Sequence, residues 1–180
     1  MATFTAVTHN FPSLLDADRH DGIGAGLSAA LPLLGLVAAY GAAEALGVQP
    51  VLHAPLGLPE WTGALALAIS LPLWGAARWL VAGRGYEGRS AARWIVALMV
   101  GAILAPFLLT VADPFMSTVV SMVLMLIGLA AAGRAASVSG RATLLVLPGL
   151  AWLGFGAVLG FGVVAGGWSP PFAVTQGGDA

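Results

Sequence analysis

All seven basic residues of this chain are arginine, and all can be laid on one side of a membrane. Arg19, Arg78, Arg84, Arg89, Arg93, Arg134 and Arg141 fall among five apolar runs, at roughly 23–47, 62–82, 92–111, 115–136 and 142–166. Threaded through a bilayer in order, these runs put the N-terminal segment, the second connection and the fourth connection on one face. Every arginine lies in those stretches or at the span ends bordering them. The first connection, the third connection and the C-terminal stretch carry none. Positive charge near span ends marks the cytoplasmic side. The pattern predicts five spans, a cytoplasmic N-terminus and a C-terminus on the other face. Four or six spans would scatter the arginines.

The charged fraction is 8%, against about 25% in an ordinary soluble domain. So few charges cannot clothe a soluble surface. Each run is close to the ~20 residues a helix needs to cross the hydrocarbon. The expected fold class is an all-α integral membrane protein, a five-transmembrane-helix bundle. Residues 1–22 are read as a short cytoplasmic tail, with Asp16, Asp18 and Asp21 and no signal-peptide core. Residues 23–166 form the membrane domain, and 167–180 a flexible C-terminal tail. The charge asymmetry suits a bacterial inner membrane. No basic surface suited to nucleic acid exists, and with no cysteine there are no disulfides or thiolate ligands.

Ionisable residues at membrane depth usually mark ion paths, proton relays or catalytic groups. The centre of every run lacks them, which weighs against a pump, a proton-coupled carrier or an intramembrane hydrolase. His9 and His20 are expected on the opposite side from His53, so the three cannot form one metal site. Ser70 has no base near it on its own helix. The chain reads as a non-enzyme that requires no cofactor.

Pro50, Pro55 and Pro59 make the first connection extended and stiff. Gly83 to Ser90 reads as a glycine-rich turn with Ser90 capping the third helix, and Asp113-Pro114 as a tight third turn. Pro32, Pro72, Pro106 and Pro148 fall within or near the start of spans, as packing kinks or hinges.

Trp61, Trp79, Trp94 and Trp168 fall at expected interfaces, where indoles favour the headgroup region. Trp61 also closes the proline-rich loop over the outer mouth of the bundle. Trp74 and Trp152 lie deep, as core packing or as stacking partners for a ligand. A buried indole N–H seeks an acceptor, and a carbonyl freed by a nearby proline would serve. In the fifth run Gly149, Trp152, Gly156 and Gly160 share a stripe. Gly156/Gly160 is a GxxxG pair, which marks a dimer face or one wall of a groove for a flat ligand.

The fifth run keeps Leu145, Pro148, Leu150, Trp152, Phe155 and Leu159 in the frame L-x-x-P-Y-L-x-W-x-x-F-A-x-x-L-N. Gly75 to Val81 is similar to G-x-A-x-W-L-V, and Pro106-Phe107 to the proline of N-x-x-W-x-P-x-F-F. Pro50 to Trp61 is similar to P-x-F-x-P-P. By these motifs, spanning about residues 30–165, the chain resembles the TspO/MBR family of tryptophan-rich sensory or translocator proteins. That resemblance implies a five-helix bundle which binds porphyrins or other hydrophobic molecules in a cavity opening toward the first loop. It also implies a homodimer through helix faces. Leu67, Leu71, Gly101, Leu104, Gly149 and Gly160 stand where the family carries Trp, Tyr, Asn, Trp, Tyr and Asn. A pocket here would then be held by shape and dispersion.

The expected function is binding or sensing of a flat apolar ligand such as a porphyrin or other tetrapyrrole, with translocation as an extension. Trp74, Phe107, Trp152 and Phe155 are expected to converge below Trp61, with Pro148 and Gly149 completing the ligand site. The expected partners are the lipid bilayer, the hydrophobic ligand and a second copy. The alternative is a non-catalytic scaffold or assembly subunit without a pocket.

Overall fold

A peptide group in hydrocarbon has no water to bond, so each span must close its hydrogen bonds within itself as a helix. The computed structural model describes residues 22–50, 58–59, 61–109 and 114–167. They form five helices: α1 Gly22–Ala45, α2 Trp61–Ala82, α3 Gly85–Leu108, α4 Pro114–Ala136 and α5 Gly140–Gly167. All five are long and apolar enough to cross a membrane. The expectations for the N-terminal tail to residue 21, Arg19, the three histidines, Pro55, Asp113, Trp168 and the C-terminal tail lie outside the described residues.

The second connection is shorter than the sequence suggests. The turn is only Gly83-Arg84, and α3 begins at Gly85. Gly85 takes φ +69°, a left-handed conformation open to glycine, so the chain reverses within two residues. The Arg84 N–H donates to the Val81 carbonyl at 3.0 Å, and the Gly88 N–H to the Arg84 carbonyl at 3.2 Å. A side chain at Gly88 would overlap the Val81 carbonyl. Ser90 therefore lies inside α3 and caps nothing. At the fourth connection Ser139 does act as a cap, its Oγ accepting the Ala142 N–H at 3.4 Å.

α2 is the hub, packing on α1, α3 and α5, while α4 bridges α3 and α5 and α1 lies outside against α2. Arg84 Nη1 donates to the Val138 carbonyl at 2.7 Å. This bond ties the α2–α3 turn to the α4–α5 turn, so both turns occupy one end of the bundle. Near that end Ala77, Val81, Ala91, Ala131, Ala135 and Ala142 are fully buried. Small side chains let helix backbones approach closely, which is how dispersion holds helices together in lipid. The opposite half also buries small residues, among them Gly63, Ala102, Ala105 and Ala157, but leaves a cavity between the helices.

The α1 helix packs along α2 and meets it backbone to backbone at Ser28. Ser28 Oγ donates to the Gly75 carbonyl at 2.9 Å. A Cβ on Gly75 would overlap the Ser28 carbonyl oxygen and stand 2.9 Å from Ala29 Cα. Only Gly24, Pro32 and Ala43 of α1 are buried; Leu27, Leu31, Leu34 and Val37 face outward. In lipid such exposure needs no cover.

Candidate ligand-binding site

A cavity of about 110 Å³ opens between α2, α3, α4 and α5, in the half of the bundle away from the arginine-bearing turns. Its walls include Trp74 and Ser70 of α2, Pro106 of α3, Leu124 of α4, and Trp152 and Gly156 of α5. It excludes α1, because α2 stands between α1 and the rest of the bundle.

Trp74 is 1% exposed, and its indole N–H donates to the Val146 carbonyl at 3.3 Å. A backbone carbonyl is thus the acceptor, although not the one that proline frees. Pro148 deprives Leu144 of its helical donor; Val146 lies two residues further on. The indole is held flat by Gly149. A methyl there would stand 2.7 Å from Ser70 Oγ and closer still to Trp74 Cζ2. Gly149 therefore makes room for Trp74 rather than for a ligand beside Trp152. The open space beside Trp152 belongs to Gly156, whose Cβ direction meets nothing within 4 Å.

Of the seven residues expected to bind ligand, Trp74, Gly149 and Trp152 line the cavity and the other four do not. Pro148 and Phe155, seven residues apart on one helical stripe, face outward, Phe155 with 42% exposure. Gly149 and Gly156 form the neighbouring stripe that faces inward, and Trp152 lies between the two. Phe155 touches the site only through Trp152, with ring centroids 6.4 Å apart. Phe107 is turned toward α1, edge-on to Tyr40 at 5.5 Å. Trp61 begins α2 and is 62% exposed. The expected convergence below Trp61 fails because α3 and α5 present different faces to the cavity than a shared stripe would require.

Sequence reasoning passed over Ser70 as a nucleophile without a base. It is buried, lines the cavity, and makes no hydrogen bond among the described residues. Ser121, also on the wall, donates to the Ser117 carbonyl of its own helix at 3.0 Å. Ser70 is therefore the uncommitted polar handle in an apolar recess. Only the structure brings it to a cavity wall. Among the described residues no cluster of His, Cys, Asp or Glu could hold a metal ion.

The family pattern covers most of this molecule: a model of the TspO/MBR family matches residues 27–165. The chain belongs to the TspO/MBR family. A search of the curated proteins and of the solved structures returned no match. In this TspO/MBR protein Gly149 stands at the position the resemblance assigns to Tyr, and the room goes to Trp74 from the neighbouring helix. Gly160 lies against Thr118 of α4, its Cβ direction 2.9 Å from Thr118 Oγ1. The Gly156/Gly160 pair is therefore turned into its own bundle, one glycine on the cavity and one on α4, rather than presented to a second copy.

Proposed function

We propose that this TspO/MBR protein binds a hydrophobic, flat ligand of the tetrapyrrole class in the α2–α5 cavity, as a binding or sensory protein rather than an enzyme. The observation that carries the reading is the recess itself. Trp152 and Trp74 offer aromatic surface, Gly156 leaves space, and Ser70 offers one free hydroxyl. Pockets of this kind, apolar with one polar group to fix orientation, suit small-molecule binding. At about 110 Å³ the recess is smaller than the ~300–1,000 Å³ typical of ligand sites. A whole macrocycle enters only when the helix ends around the recess part. The proline carried within each of α1, α2, α3 and α5 supports such bending. The arginine-bearing turns at one end support a placement with those turns on the cytoplasmic face of a bacterial inner membrane.

Titrating the purified protein with protoporphyrin is expected to quench tryptophan emission saturably. Trp152→Ala is expected to weaken binding by about 0.5–1.5 kcal/mol, the contribution of one aromatic stacking partner. Gly156→Leu, which fills open space, is expected to abolish saturation while leaving thermal stability near wild type. Quenching that rises linearly in every variant would overturn the reading.

The small recess favours a second reading, a non-catalytic scaffold. It predicts a partner protein that co-purifies in constant ratio and is unaffected by Gly156→Leu.

A further inference from the structure

A second, larger recess lies on the other side of α2, away from the proposed tetrapyrrole site. It is a groove of about 370 Å³ between α1 and α3, with α2 as its floor. Leu27, Leu31, Val100 and Ile103 form apolar walls. Leu27, Leu31 and Val100 are among the outward-facing residues of the bundle, so the groove opens sideways into lipid. Toward the end away from the arginine-bearing turns the walls meet where Ile103 Cδ1 comes within 3.8 Å of the Cβ direction of Gly35. At the arginine-bearing end the floor carries Arg78 and Trp79.

Arg78 makes the groove more than a gap. Arg78 lies four residues from the end of α2, about 6 Å along the axis, the depth of a phospholipid headgroup and glycerol. Its guanidinium reaches only Ser28 Oγ, at 3.5 Å, and has no carboxylate partner among the described residues. The Trp79 indole N–H is buried and lacks an acceptor. The sequence assigns Trp79 to interfacial anchoring, yet its N–H is shut off from headgroup water. A cation without a carboxylate partner at the polar end of an apolar slot calls for one kind of molecule: an anion attached to a hydrocarbon chain.

We propose that the α1–α3 groove is a binding site for one anionic phospholipid of the leaflet that meets the arginine-bearing turns. The phosphate engages Arg78, and an acyl chain runs along Leu31, Val100 and Ile103. A lipid fits better than a second copy of this chain. A groove of this volume admits a thin chain, whereas a helix about 10–12 Å across would require α1 and α3 to separate. The site is independent of the α2–α5 cavity and stands or falls separately from it.

Native mass spectrometry of protein delipidated in neutral detergent tests the proposal, with phosphatidylglycerol or phosphatidylcholine added back. The monomer is expected to retain one phosphatidylglycerol with a preference of about threefold to tenfold over phosphatidylcholine, since both present a phosphate to Arg78 but the choline cation offsets its charge. Arg78→Gln should remove the preference. Val100→Phe should lower retention of both lipids by crowding the chain path on the lipid-facing wall, where folding is not at stake. Arg89→Gln, an exposed arginine outside the groove, should change nothing. Millimolar inorganic phosphate should not compete. Equal retention of both lipids, equal loss with Arg89→Gln, displacement by free phosphate, or a lipid-free dimer that forms in place of the lipid-bound monomer would each overturn it.

Discussion

Gly75→Ala is expected to release α1 from the bundle. The added methyl would overlap the Ser28 carbonyl oxygen and approach Ala29 Cα to 2.9 Å. Both obstacles are backbone, so no side chain can rotate out of the way and the helices must part. Separation breaks the bond from Ser28 Oγ to the Gly75 carbonyl and loosens α1 from α2, its main neighbour, since α1 has few contacts with α3. Overpacking typically costs about 1–3 kcal/mol, and a backbone-to-backbone clash belongs at the upper end. Ser28→Ala removes only the hydrogen bond and should cost about 1 kcal/mol. In detergent, Gly75→Ala should lower Tm well below that of Ser28→Ala. Hydrogen exchange should show early exposure of α1 amides while α2 to α5 stay protected. An unchanged Tm with protected α1 amides would contradict the account.

The second large effect is expected at the pair formed by Trp74 and Gly149. Trp74→Ala empties a fully enclosed site and removes the donor to Val146; large-to-small changes of this kind cost about 3–5 kcal/mol. Gly149→Phe, alone, drives a ring into the Trp74 indole and the Ser70 hydroxyl and should be at least as damaging. Together the two changes exchange which helix supplies the aromatic ring. The double variant is expected to be more stable than either single one, with a coupling energy of about 1–3 kcal/mol. Thermal unfolding of the four proteins closes the cycle. Additive losses would show that the indole and the glycine are not complementary.

That pair also marks the boundary between what the sequence discloses and what it hides. Five spans and arginines gathered at one end follow from chain chemistry, because crossing lipid and charge placement are nearly one-dimensional problems. The need of Trp74 for a carbonyl acceptor was equally legible, since a buried indole N–H has few alternatives. Lateral order was not. All five helices are apolar on every side, and lipid is as apolar as a core, so no polar face reports which side turns inward. Phe107 and Phe155 look like pocket residues by composition, yet one meets Tyr40 and the other faces outward.

Glycine gave the least away. Gly75 and Gly88 are spacers against backbone, Gly149 a seat for an indole, Gly160 a seat for Thr118, and Gly156 empty space. All five read alike in sequence, and only their neighbours distinguish them. The early start of α3 was hidden for a related reason. Gly83 to Ser90 looks like a loop by residue type, but a single positive φ at Gly85 suffices to turn the chain. The later glycine, Gly88, is there to let α3 pass the end of α2.

The Arg84–Val138 latch and the alanine-packed layer beside it make the bundle behave like a purse sewn shut at the bottom. A ligand of the central recess, as proposed above, would then enter and leave at the far rim, and such a vessel would hold or report it rather than pass it across the membrane.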